Sequence, residues 1–336
     1  MFSTVSFLAY SIYEMVSIPL YLRIIYVLVS KKQFSAPFFK FLSVISILEI
    51  CHYVIDVVFY RLPIFGPTST WFGTSPSPIY TVATFLIYFF NYPIYIFHIA
   101  IALNRCTSVW APVKQKAFWI RACKPIIGFA FAVSFLFTAH RLFTVAQLVP
   151  LDQSDQTKGS IPIIVKYQLY FIDTNLLTAS FNTFVFLTSL IINSFTLCKI
   201  MQMKRAGNLK NAANKVEFNL FIISLWMTMT LVVLISFQLS LFMLRSGLLN
   251  NVLDVGSANY FLFMQQPLVE ILGTESHPWV LLIMSGSIRA ATLPFVATFK
   301  QRTSGISFVK PTPIITTVVS TITTAQTFKN SSSFGR

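Results

Sequence analysis

A chain of 336 residues that is 55% hydrophobic and only 10% charged, with a mean hydropathy of +0.70, has too little polar surface to clothe a water-soluble globule of its size. Its formal charge of +15 is not the mark of a nucleic-acid binder, which needs a soluble basic face that this composition lacks. The solvent it fits is a lipid bilayer, and no nucleic-acid partner is expected.

About 20 residues at about 1.5 Å rise each cross the hydrocarbon core. Seven apolar blocks of that order are read at 5–29, 38–60, 79–103, 125–148, 169–198, 218–244 and 258–286. The fold class is therefore all-α, a seven-helix transmembrane bundle. No basic residue precedes the first block and no small-x-small cleavage site follows it, so it reads as an uncleaved span rather than a signal peptide. In the second block Glu49, His52 and Asp56 are spaced i, i+3, i+7 and share one helix face. The segment 61–78, with Pro63, Pro67, Pro76 and Pro78, is turn-rich and resembles a structured lid. In the third block Asn91, Tyr95, His98, Ala102 and Arg105 fall on one stripe, with Thr84 and Tyr88 above it. A basic loop leads to the fourth block, and a longer loop, 149–168, to the fifth, which opens on Asp173. After the loop 199–217 the sixth block carries Gln238. The seventh, which Glu270, Glu275 and His277 make poor in hydropathy, aligns Gln266, Glu270, Thr274 and His277. Pro19, Pro93, Pro267 and Pro278 lie inside blocks, where a missing backbone donor lets a helix bend. From Arg289 to Arg302 basic ends flank apolar residues, as in an interfacial helix. Residues 303–336, rich in Ser, Thr and Lys, read as a disordered tail. Two regions are thus expected, a bundle with its interfacial helix over 1–302 and a tail over 303–336.

Basic residues in short loops stay cytoplasmic. Seven spans with the N-terminus outside put nineteen Lys and Arg on the inner side against five outside, the five being Arg61, Arg141, Lys158, Lys166 and Arg245. Of the four cysteines, Cys51 lies within the second span, and Cys106, Cys123 and Cys198 lie at or near cytoplasmic ends, which excludes an extracellular disulfide. The lone N-x-S/T acceptor, Asn330, falls inside, so no N-glycan is expected.

A charged side chain at mid-bilayer costs about 2.5–3.5 kcal/mol on insertion scales, so such groups face the bundle interior and find partners. From the inner anchors Lys40, Arg105 and Arg289, the residues Glu49, His98 and His277 lie about 10–18 Å deep at helical rise. A carboxylate among two imidazoles can take a cation, pass a proton between conformations, or simply lock helix packing. In the outer third, Thr84, Tyr88, Asn91, Asp173, Gln238, Gln266 and Glu270 are the inward-phased polar residues expected to meet a small-molecule ligand. At the inner face Arg105, Lys204, Arg205, Lys215 and Arg289 form a basic rim. No cofactor or bound metal is expected. Neither an H-E-x-x-H nor a spaced Cys/His pair appears, so the chain is not read as an enzyme. A proton- or ion-coupled transporter or channel, running its path through Glu49, His98 and His277, is the alternative function, although no internal repeat is visible.

Three stretches carry a resemblance. Asn104-Arg105-Cys106-Thr107-Ser108-Val109, followed by Pro112 and then Trp119 in a basic loop, resembles the inner end of the third helix in nematode serpentine chemoreceptors of the gamma superfamily, the class gamma and class V groups especially. Ile18-Pro19-Leu20 followed by Lys31-Lys32 resembles their first helix, and His277-Pro278-Trp279-Val280-Leu281-Leu282, ending in Ser287-Ile288-Arg289, resembles their last. The resemblance implies a seven-transmembrane G-protein-coupled receptor, with a small-molecule ligand outside, a heterotrimeric G protein inside, and a place in the plasma membrane of a sensory cilium. It makes Glu49, Arg105, His277 and Pro278 switch residues, to which the shared layer with Glu49 and His277 adds His98. Asn104 stands where the wider receptor class has an acid, so the restraint on Arg105 must come from elsewhere. Glu49 stands where that class tends to have an aspartate, and His277-Pro278 where it has Asn-Pro. The sixth span has Trp226 but no proline between 218 and 244, which argues against a proline hinge there.

Overall fold

A computed structural model describes residues 2–64, 75–150, 159–167, 173–207, 212–246, 248 and 255–293. The chain divides into Met1–Thr292 and Leu293–Arg336, and every element below belongs to the first unit. The expected tail and residues 294–302 of the expected interfacial helix lie outside the described residues.

Helix α1 (Phe2–Ser30) is followed after one 3-10 turn by α2 (Pro37–Asp56), which runs on through a π-helical turn, Val57–Arg61, to Ile64. Helix α3 (Pro78–Trp110) starts where the Ser77 side chain accepts from the Ile79 amide and Pro78 occupies the first turn, positions that need no donor from proline. Only Ala111 separates it from α4 (Pro112–Thr138), which ends in a 3-10 turn, Ala139–Phe143. An antiparallel hairpin follows, β1 (Thr144–Pro150) paired with β2 (Ser160–Tyr167). Then come α5 (Thr174–Arg205), α6 (Ala212–Arg245) and α7 (Val255–Glu270). A second π turn, Ile271–Glu275, joins α7 to α8 (His277–Met284), and α9 (Gly286–Thr292) closes the described chain.

Among the described residues six helices are long and apolar enough to cross a membrane. The seventh crossing is α7, its π turn and α8 together, divided by that turn into helices of 16 and 8 residues and made poor in hydropathy by Glu270, Glu275 and His277. Helix α3 is the axis, packing against α2, α4, α5 and α6. Around it Tyr92, Phe41, Phe97 and Trp119 are buried. Phe129, Phe135, Leu136, Phe184, Leu187, Ile191 and Phe195 on α4 and α5 are exposed instead. Polar residues inside and large apolar ones outside is the reverse of a water-soluble domain and suits a lipid surround. Ser43, Thr107, Thr178, Thr196 and Ser240 each return a hydroxyl proton to the carbonyl four residues back, so their polarity is met within their own helix.

Several boundaries differ from the sequence reading. The fourth helix begins at Pro112, not 125. Its first turns carry exposed Lys114, Lys116, Arg121 and Lys124, and a helix can project into water where hydropathy no longer marks it. Residues 144–148, read as the end of that span, belong to the first strand, Thr144–Pro150: five residues in alternating burial cannot be told from a helix end by hydropathy alone. The third and fifth helices run past the expected 103 and 198, to Trp110 and Arg205. Arg61 and Arg141, read as outer-side charges, are 5% and 3% exposed.

Two glycines mark close approaches. Gly159 has φ 101°, and a Cβ there would stand 2.0 Å from the Ile64 carbonyl oxygen, so the hairpin sits directly on the end of the second helix. A Cβ on Gly273 would meet Leu234 of α6 at 2.8 Å, which is why the π turn can lie against that helix.

Candidate functional site

The polar residues of the bundle fall into three levels, ordered along α3. At the hairpin end Thr84, Tyr88, Asn91 and Tyr95 form one wall of a cavity of about 100 Å³. Other walls come from Asn175 and Thr178 of α5, Leu234, Phe237 and Gln238 of α6, and Phe263, Gln266 and Glu270 of α7. Pro162 and Ile164 of β2 form part of the lining, and Tyr60 and Arg141 complete it. The hairpin is tied to α3 by Thr81, whose hydroxyl donates to the Thr144 carbonyl at 3.2 Å and accepts from the Ala146 amide at 3.3 Å. The Ser77 amide adds a bond to the Ala146 carbonyl at 3.1 Å. Apolar walls with a few convergent polar groups are the lining that a small-molecule pocket requires.

Of the seven residues expected at a ligand, the structure brings six, Thr84, Tyr88, Asn91, Gln238, Gln266 and Glu270, to this one cavity. Asp173 is not on its wall: its carboxylate caps α5, accepting from the Asn175 amide at 2.7 Å and the Leu176 amide at 3.1 Å. Beside the cavity an acid from each of the first two helices is spoken for. Asp56 and Glu14 both pair with buried Arg61, Gln266 donates to Asp56 at 3.4 Å, and Asn91 donates to His52 Nε2 at 2.9 Å.

One level deeper, Glu49, His98 and His277 meet. His277 Nδ1 lies 2.5 Å from Glu49 Oε1, Tyr21 donates to the other carboxylate oxygen at 2.7 Å, and the His98 and His277 rings are 5.5 Å apart, edge to face. Both ring nitrogens of His98 and Nε2 of His277 are buried without a hydrogen bond. Among the described residues no three groups of His, Cys, Asp and Glu are gathered to hold a metal ion. The level offers a bonded carboxylate–imidazole pair with a second imidazole beside it. Pro278, expected as a bend, occupies the first turn of α8, where its missing N–H costs nothing.

At the basic end Arg105 is 5% exposed, so it belongs to the interior rather than to an exposed rim. Its guanidinium donates to Glu217 of α6 at 2.8 Å, bonds the Asn104 side-chain oxygen, and lies 4.3 Å over the Phe38 ring. Ser108 donates to the same Glu217 oxygen at 2.8 Å. Lys204, Arg205 and Arg289 are exposed, Arg289 also reaching the Leu282 and Ile283 carbonyls; the Lys215 side chain lies outside the described residues.

Sequence reasoning missed Glu217, Glu14, Arg61 and Arg141. Two of these were findable. Glu217 is the single acid between Asp173 and Asp254, set among cations at a helix start, and Glu14 is a charge inside an apolar block, which must have a partner.

The family model for Srg family chemoreceptors matches residues 7–292, essentially the whole bundle. No curated protein matches the chain.

Proposed function

The chain belongs to the Srg family of chemoreceptors, and on that premise we propose that it is a ligand-activated receptor coupled to a heterotrimeric G protein. As a multi-pass membrane protein of that family it has a seven-helix bundle. In our reading the hairpin end faces outward with the N-terminus, the cavity receives a small molecule, and the basic end meets the G protein in the cytoplasm. The observation that carries the reading is the single stripe of α3. Thr84, Tyr88, Asn91 and Tyr95 line the cavity, His98 stands beside the Glu49–His277 pair, and Arg105 closes on Glu217. A ligand that rotates or shifts α3 against α6 and α7 acts on all three levels at once, because a rigid helix has two discrete packings rather than a continuum. The Arg105–Glu217 pair supplies the restraint that Asn104 cannot. Opening it frees a guanidinium and the neighbouring Lys204 and Arg205 for a partner.

Purified full chain in lipid vesicles, with G protein added outside and a panel of volatile and water-soluble compounds, tests the reading. Ligand-dependent nucleotide exchange is the expected result. Ligand-driven substrate or proton flux without exchange would instead support a transporter.

A further inference from the structure

One charge in the cavity wall has no role so far. Arg141 is 3% exposed and faces the cavity, with its Cζ 3.4 Å from the centroid of the Tyr88 ring. Stacking on a ring face uses none of the five guanidinium donors, which point outward in the plane. Among the described residues no carboxylate pairs with it and no acceptor takes its side-chain protons; Nε in particular is buried without a hydrogen bond. The other buried arginines are partnered, Arg61 by Glu14 and Asp56, and Arg105 by Glu217. A guanidinium stays protonated, and an unpaired buried charge is costly. The one acid on the wall, Glu270, lies on α7 and forms no ion pair with Arg141 among the described residues.

We propose that the cavity selects small molecules bearing a carboxylate, and that Arg141 is the residue that reads it. This deepens the receptor reading and rests on the cavity being its ligand site. A planar carboxylate meets the guanidinium edge with two parallel N–H···O bonds, the strongest geometry open to that side chain. Tyr88 fixes the plane in which those bonds form. Leu234, Phe237 and Phe263 offer an apolar surface for the rest of the molecule, so the class is an acid with a short apolar body.

Full chain in nanodiscs at neutral pH is titrated with tritiated hexanoate, octanoate and phenylacetate, each competed by its methyl ester and by a primary amine of equal length. The expected result is saturable binding of at least one acid, its ester and amine about tenfold weaker or worse, the loss that follows from one charge-assisted pair. Arg141→Gln should bind acid and ester alike, and Arg141→Lys, which keeps the charge but not the fork, should fall between. If Arg141→Gln does not fold, the wild-type comparison and the lysine variant decide. Three outcomes overturn the proposal: no saturable acid binding, ester or amine competing as well as acid, or an acid preference that survives in Arg141→Gln. Nucleotide exchange measured in parallel separates the two readings. Exchange driven by a neutral compound with no acid preference removes the carboxylate and leaves the receptor. Acid binding that depends on Arg141 without any exchange does the reverse.

Discussion

Arg105 is held by three different forces: the charge of Glu217, the Asn104 carbonyl oxygen and the face of Phe38. Arg105 is buried and Glu217 part-exposed, so removing the acid leaves the buried guanidinium without its charge partner, a loss of about 1–3 kcal/mol to the state that contains it. Glu217→Gln should therefore destabilise the closed arrangement and raise ligand-independent nucleotide exchange about tenfold, since about 1.4 kcal/mol is a factor of ten in a two-state equilibrium. Unchanged basal exchange at equal surface expression would show that the pair restrains nothing. Arg105→Ala should abolish ligand-evoked exchange while the protein still reaches the membrane, because the guanidinium is both the latch and the contact that opening releases. Deeper in, His98 was legible in the sequence as an inward-facing group, since helical phase places it on the Asn91–Arg105 stripe. That its ring meets His277, and that Glu49 bonds His277 rather than His98, depends on how α2, α3 and α8 are rotated against one another.

Elements differ in how firmly local sequence dictates them. The hairpin over the cavity is attached to α3 through the Thr81 hydroxyl, which both donates to and accepts from β1. Thr81→Val keeps the shape and deletes both bonds, each worth about 1 kcal/mol net. Amide hydrogen exchange should accelerate in Thr144–Pro150 while the α3 amides stay protected; equal protection would mean that strand pairing and the Ser77–Ala146 bond hold the hairpin without Thr81. The seventh crossing offers a second test. Gly273→Ala drives a Cβ into Leu234, and overpacking of this kind costs about 1–3 kcal/mol, read as a lower melting temperature of the purified protein. Leu234→Ala in the same chain should recover part of it, since the clash is with the Leu234 side chain. Helix α6 is unbroken from Ala212 to Arg245, in line with the absence of proline there, and the irregular geometry sits in the π turns at Val57–Arg61 and Ile271–Glu275. Neither turn has a hydropathy signature.

At the scale of the whole molecule the proposed orientation makes a simple prediction. An epitope at the amino end should bind antibody on intact cells, and one at the carboxyl end only after permeabilisation; both on the same side would contradict an odd number of crossings. Local chemistry determined a good deal by itself. Apolar block length set six of the spans, because a bilayer has one thickness and every backbone group inside it must be bonded within its own helix, and the sorting of basic residues between the two sides asked for the seventh. Helical phase set which polar residues point inward, because 3.6 residues per turn is a property of the backbone alone. Six cavity-wall residues and the Glu49, His98 and His277 level were within reach for that reason. Only the packed bundle decided which inward residues touch. Glu217 reaches Arg105 across 112 positions, Arg61 turns in to join Glu14 and Asp56, Asp173 leaves the cavity to cap its helix, and Arg141 folds back over Tyr88. Phase gives a direction for each side chain but no distance to another helix. Pairing between spans is fixed by rotation, tilt and depth, which belong to the assembled bundle and to no single segment of it.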